Sequence, residues 1–162
     1  MGRKYTVAQF YTLIKYIRSK SPLCSITTDY IVGFPTETIQ NFKDSIKNLE
    51  KLCFSNIHIF PYSSHSGTKA ALLKNVVSDS EKKKRYMTID AQNKKNMNAF
   101  FNKFIGKTVN VLFEKSSKPG LQYGHSQYFF SVNVKIKKIL TNKMLKVKIT
   151  SIENNEVFGK LI

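Results

Sequence analysis

Residues 26–38 read ITTDYIVGFPTET, and this stretch decides the fold of the first half of the chain. Its apolar end, Tyr30–Val32, is near-continuous, as in a strand buried within a parallel sheet. Gly33 lets the backbone turn at the strand's C-terminal end, and Pro35 fixes the exit. Thr38 is a good helix cap, and Ile39, Phe42, Ile46 and Leu49 then recur on one helical face. On spacing alone this reads first as an ordinary βα turn. The alternative is a ligand site, since in α/β sheets and barrels ligands bind at such a strand end, where the free N–H groups of the next helix face an anion or polar group.

The pattern extends on both sides. Upstream, Val7, Phe10, Leu13, Ile14 and Ile17 have helical spacing, and Ser21-Pro22 ends that helix. Downstream, NIHIFPY (56–62) is a second strand, followed by the polar loop SSHSGTKA. It brings Tyr62, Ser63, Ser64, His65 and Gly67 to the same edge. The order α-β-α-β predicts parallel βαβ units covered by helices. Two strands do not make a self-sufficient parallel sheet, so this segment belongs to something larger. Ser63 and His65 lack a nucleophile elbow and an acid partner, which excludes Ser/His catalysis. His58, inside an apolar strand, reads as a hydrogen-bonded core or sheet residue. Cys24 and Cys53 read as buried structural thiols.

Residues 78–105 form a long helix, with Ser78 and Glu81 as a capping box and Gly106 as its stop. Met87, Ala91, Met97, Phe100, Phe101 and Phe104 supply its apolar positions, and EKKKR at 81–85 reads as a solvated face. After Gly106 the period becomes two. KTVNVLFE is a strand with Val109, Val111 and Phe113 on one side, and SSKPGLQYGHS is a long turn. QYFFSVNVKI, MLKVKITSI and EVFGKLI are further strands, with a hairpin turn at Asn154-Asn155. At least four strands in this short span predict a small antiparallel β-barrel.

The chain has 162 residues, 27 Lys plus Arg, 10 Asp plus Glu and a net charge of +17. With 41% hydrophobic residues it is no disordered polycation. The 24 Lys against 3 Arg also fit an AT-rich genome, so position must separate composition from function. Residues 107–162 carry 10 basic and 3 acidic residues, a higher net positive charge per residue than residues 1–78, which carry 10 basic and 4 acidic. Lys146 and Lys148 alternate with Val147 and Ile149, which puts both on one exposed face. Tyr123, Tyr128 and Phe129 lie near this basic material, and lysines with stacking aromatics are how a small barrel holds RNA. Short apolar runs exclude a transmembrane helix, and the start has no signal-peptide core. The 2 cysteines exclude a disulfide framework and a metal site of three or four thiolates; a reducing, cytoplasmic home is expected.

MGRKYT, ITTDYIVGFPTET and HIFPYSSHSGTKAA resemble consecutive landmarks of the radical SAM methylthiotransferases, which modify tRNA adenosine or a ribosomal-protein aspartate. HIFPYS…GT is most similar to the branch acting on N6-threonylcarbamoyladenosine next to the anticodon. GKTVNVLFE, GHSQYFFSVNV and KVKITSIENNEVFGKLI resemble the TRAM domain, an RNA-binding barrel. The resemblance implies an α/β fold in three parts. Residues 1–77 would be the last strands and helices of a radical SAM barrel, 78–106 a connecting helix, and 107–162 the TRAM-like barrel. It implies S-adenosyl-L-methionine (SAM) and [4Fe–4S] clusters as cofactors, and the tRNA anticodon arm as partner. The family's three N-terminal cluster cysteines and its CxxxCxxC motif are not in this sequence. The chain therefore resembles a C-terminal fragment, inactive alone, with no catalytic or metal-ligating residue of its own. The alternatives are an RNA-binding remnant and one half of a split enzyme completed by a separate N-terminal chain. By resemblance, Arg3, Gly33, Phe34, Pro35 and Glu37 lie on the SAM side, and Tyr62, Ser63, Gly67 and Thr68 on the substrate side. Tyr128, Lys135, Lys146 and Lys148 would hold RNA. Thr36 stands where the family's GFPGET has a Gly, adding a Cβ to the turn.

Overall fold

The computed structural model describes residues 4–74, 76–115 and 119–162, so Arg3 lies outside the described residues. Contacts divide the chain into two compact units, Met1–Pro22 with Ile26–Asn96, and Leu23–Ser25 with Met97–Ile162.

In the first unit, helix α1 (Val7–Lys20) opens on a Thr6/Gln9 capping box. Strand β1 (Thr27–Val32), helix α2 (Ile39–Leu52) and strand β2 (Asn56–Pro61) follow, and the two strands pair in parallel from Thr27–Asn56 to Val32–Pro61. A short 3-10 turn, Lys69–Leu72, interrupts the polar loop, and helix α3 (Asp79–Asn102) comes next. The core is Ile14, Val32, Leu49, Leu52, Phe54, Ile57 and Ile89. Ile39, on the expected apolar face of α2, is exposed instead.

Helix α3 departs most from the sequence reading. Met87 and Ala91 are exposed, and the buried stripe is Arg85, Ile89, Asn93 and Asn96. These lie one helical turn apart on one face. The Asn93 amide accepts from the Ile57 N–H at 2.8 Å and donates to the Ile57 carbonyl at 3.2 Å. One side chain thereby does for β2 what a neighbouring strand would do, satisfying an edge that would otherwise be open. Asn96 donates to the Leu49 carbonyl at 3.4 Å. Ser78 caps the helix through the Glu81 N–H at 3.3 Å, but the Glu81 carboxylate turns to Arg85.

The second unit is a closed barrel with strand order β3-β4-β5-β7-β6: β3 (Thr108–Phe113), β4 (Leu121–Ser126), β5 (Ser131–Lys135), β6 (Met144–Glu153) and β7 (Glu156–Leu161). It is not wholly antiparallel, because β5 and β7 run parallel. Directions that alternate around a ring of five strands must repeat once, so one parallel pair is unavoidable. LQYGHS is strand β4 rather than part of a turn. Gly124, which reads as a turn residue, faces inward where a Cβ would collide with the Leu112 carbonyl. The end of α3 and the following turn supply Phe100, Phe101 and Phe104 to the barrel core, where they pack on Phe130. Val109, Val111 and Phe113 are buried, matching the alternation read from sequence. Asn154 and Asn155 both have positive φ, as a two-residue hairpin turn requires.

Candidate functional site

The first candidate surface is the C-terminal end of β1 and β2. The Tyr62 N–H donates to the Val32 carbonyl at 2.9 Å, which holds the two strand ends side by side. Phe34 and Tyr62 meet edge to face, ring centroids 5.4 Å apart. Pro35 is buried and Thr36 adopts φ +73, the left-handed value that the third position of a type II turn requires. The turn closes through Glu37 N–H to the Phe34 carbonyl at 2.9 Å.

The Glu37 carboxylate organises this loop from within. It accepts from the Gly33 N–H at 3.0 Å, the Tyr30 hydroxyl at 3.2 Å and Arg85 Nη1 at 2.7 Å. Arg85 also reaches the Glu37 carbonyl at 3.0 Å and Glu81 at 2.9 Å, and its guanidinium covers the Phe42 ring at 5.2 Å. Arg85 is only 5% exposed, so EKKKR is not one solvated face. Burial pulls the Arg85 pKa down, but the hydrogen bonds to Glu37 and Glu81 outweigh it and the net shift is upward. Burial pushes the Tyr30 phenol up to about 12, with a Ser45 hydrogen bond opposing and Glu37 adding to the rise.

Beside this loop a cavity of about 380 Å³ is lined by Pro61, Tyr62, Asp79, Lys82, Lys83 and Tyr86. The Tyr62 hydroxyl is buried with no hydrogen-bond partner among the described residues, an arrangement that a bound polar group would relieve. The Lys82 stem packs against Gly33 where a Cβ would collide with it. Ser63, Gly67 and Thr68 sit on an exposed loop, where the Thr68 hydroxyl binds the His65 carbonyl at 2.8 Å. Two other sequence readings change here. His58 is exposed on β2, and Cys53 is exposed at the left-handed C-cap of α2, while Cys24 is half-buried. Chain alternation, not residue type, puts His58 on the outer face.

The second candidate surface is the outer face of the barrel. Lys146 and Lys148 are exposed on β6, and Lys148 stands opposite Lys160 of β7. Lys135 lies over the Phe158 ring at 5.5 Å, beside a groove of about 300 Å³ that also takes in Lys160. No ion pair neutralises Lys146, Lys148 or Lys160 among the described residues. Tyr128 is half-buried. Its ring packs on Phe104 at 4.7 Å, because it flanks a turn whose neighbour Phe130 is core.

Sequence reasoning overlooked Tyr30, Arg85 and Lys160. Arg85 had a signal: it is one of only 3 Arg in a chain of lysines, at the end of a lysine run. Lys160 follows from alternation with buried Val157.

No protein-family model matches the chain. Over its full length it is 33% identical to a tRNA-2-methylthio-N(6)-dimethylallyladenosine synthase of Jannaschia sp., covering 35% of that protein. It is 34% identical to the protein of the same name in Acetivibrio thermocellus, covering 34% of it. Over 80% of the chain it is 37% identical to the threonylcarbamoyladenosine tRNA methylthiotransferase MtaB of Thermotoga maritima, covering 30% of that protein. These relatives are tRNA methylthiotransferases, and the chain spans about a third of their length, at the C-terminal end.

Proposed function

We propose that this chain is the RNA-holding C-terminal part of a tRNA methylthiotransferase that acts in the cytoplasm. In this reading residues 1–77 are the last elements of a radical SAM barrel, 78–106 connect, and 107–162 are a TRAM-like module for the anticodon arm. The nucleoside is N6-threonylcarbamoyladenosine, supported by the HIFPYS…GT wording and by the likeness to the Thermotoga protein. Gly33, Phe34, Pro35 and Glu37 shape the loop on the SAM side, with Arg3 before them in sequence. Tyr62, Ser63, Gly67 and Thr68 face the substrate side. Lys135, Lys146, Lys148 and Lys160 hold phosphates.

The cluster does not fit these residues. Iron–sulfur clusters of this class take several thiolates, and the 2 cysteines here are Cys24, half-buried, and Cys53, exposed. Among the described residues no group of three or more His, Cys, Asp or Glu is placed to hold a metal ion. The radical chemistry therefore depends on thiolates from outside these residues, such as a separate N-terminal chain. The chain alone is expected to show no iron–sulfur absorption and no SAM cleavage.

One observation carries the RNA reading. Lys148 and Lys160 are directly opposed like charges with no acid between them, a pairing that costs the sheet stability. A polyanion on that face turns the cost into binding energy. The test is binding of unmodified tRNA across a salt series. Each phosphate contact contributes roughly 0.7–0.9 to the negative slope of log K against log salt, so several lysines give a steep line. A flat line or no binding overturns the reading.

A further inference from the structure

Residues 128–130 are three adjacent aromatics, and the fold treats the middle one differently. The Tyr128 and Phe130 rings lie 4.7 and 4.8 Å from Phe104. Phe129, between them, is 86% exposed and adopts φ +62. The turn that presents it is firmly built. The Ser126 N–H donates to the Phe130 carbonyl at 2.9 Å, and the Phe129 N–H donates to the Ser126 carbonyl at 3.0 Å. The Ser126 hydroxyl also accepts from the Tyr128 and Phe130 N–H groups, each at 3.3 Å.

A three-residue hairpin turn of this kind needs one left-handed residue, and glycine takes that place without strain. A bulky aromatic there is a conformational outlier. Phe129 thus combines an unfavourable backbone with an unburied ring, and the barrel uses neither. Outliers of this sort concentrate at functional positions.

We propose that Phe129 is a stacking platform for an unpaired RNA base, which rests on the RNA-holding reading above and adds a residue to it. Gln127 and Ser131, which flank the aromatic run in sequence, are exposed and polar. That suits one base on one ring better than a protein interface with an apolar centre. The turn is also joined to the lysine face. The Gln127 side chain accepts from the Asn110 N–H at 2.8 Å, the Gln127 N–H donates to the Asn110 carbonyl at 3.2 Å, and Asn110 is paired across the ladder with Lys146. The phosphate-holding and base-stacking groups are therefore one strand apart.

The chain contains no Trp, so Phe129→Trp creates a sole reporter at this position. In the full chain, single-stranded oligoadenylate should quench its fluorescence at the same concentrations that raise the anisotropy of a labelled oligonucleotide. A duplex RNA of equal length, whose bases are already stacked, should quench it little. Phe129→Gly should weaken oligoadenylate binding about 5- to 150-fold, leave the salt slope unchanged, and raise the thermal midpoint because the turn relaxes. Opposite movements of binding and stability separate a stacking role from a structural one. If Phe129→Gly binds like the native chain, or RNA leaves the Trp signal unchanged, the inference fails. The RNA reading then still stands, provided Lys148→Ala and Lys160→Ala weaken binding and flatten the salt slope. If the native chain and all variants show no salt-dependent binding, both fall together.

Discussion

The two units solve the problem of open strand edges by opposite means. In the barrel every strand is hydrogen-bonded on both sides, and the core is apolar: Phe104, Phe113, Val111, Val132, Val147 and Val157 are essentially inaccessible. The first unit has a ladder of only two strands among the described residues. It closes its edge and its loop with polar groups, Asn93 on the Ile57 backbone and Arg85 on Glu37. Non-directional burial tolerates small shifts, whereas a buried ion pair loses its value when one partner goes. The first unit therefore depends on specific polar pairings, and the barrel on buried apolar rings and Val side chains.

That contrast can be broken by mutation. The largest effect is expected from Phe104→Ala, which removes the ring shared by Phe100, Tyr128 and Phe130. It should cost the barrel about 4 kcal/mol in urea unfolding while amide signals of the first unit keep their positions. Next, Arg85→Ala should cost the first unit about 3 kcal/mol, since Glu37, 11% exposed in the native pair, would keep only its Gly33 and Tyr30 donors. If it costs the barrel as much, the two units do not differ as described.

A pH titration sharpens the same point. The Tyr30 phenol rises from 10.0 to about 12 in the folded chain. Its contribution is fully present below the unfolded value, and is lost as the pH rises through the folded one. Unfolding of the first unit should therefore become easier between about pH 10 and 12, with one of the 8 tyrosines ionising late in the ultraviolet spectrum. Thr36→Gly should stabilise the first unit by about 1 kcal/mol, because φ +73 disfavours a side chain with a branched Cβ. The smallest effect falls on the barrel surface. Lys160→Glu turns the repulsion with Lys148 into attraction and should add about 0.5 kcal/mol, while RNA binding weakens. A loss of stability in that variant would remove the argument from opposed charges.

Much of this was legible in order and period. The Thr38 cap, the parallel strand pair, the Val109–Val111–Phe113 face and the outward Lys146 and Lys148 follow from local rules that act within a few residues. The misread positions share one cause. LQYGHS looked like a turn because Gly124 is needed for an approach by the Leu112 backbone, a partner twelve residues away. Arg85 reads as solvated with the rest of EKKKR, and Asn93 and Asn96 carry no sequence signal of burial, because polar side chains normally face water. They are buried here because Glu37, Ile57 and Leu49 offer partners that only the fold supplies. Tyr128 and Phe129 both read as aromatics beside basic material, and the turn packs the Tyr128 ring on Phe104 and leaves the Phe129 ring to solvent. By itself, then, the sequence determined the elements, their faces and the basic surplus, because those depend on spacing and charge along the chain. Which polar groups are buried, which aromatic is presented and which lysines oppose one another was decided by tertiary structure, since each depends on a partner distant in sequence.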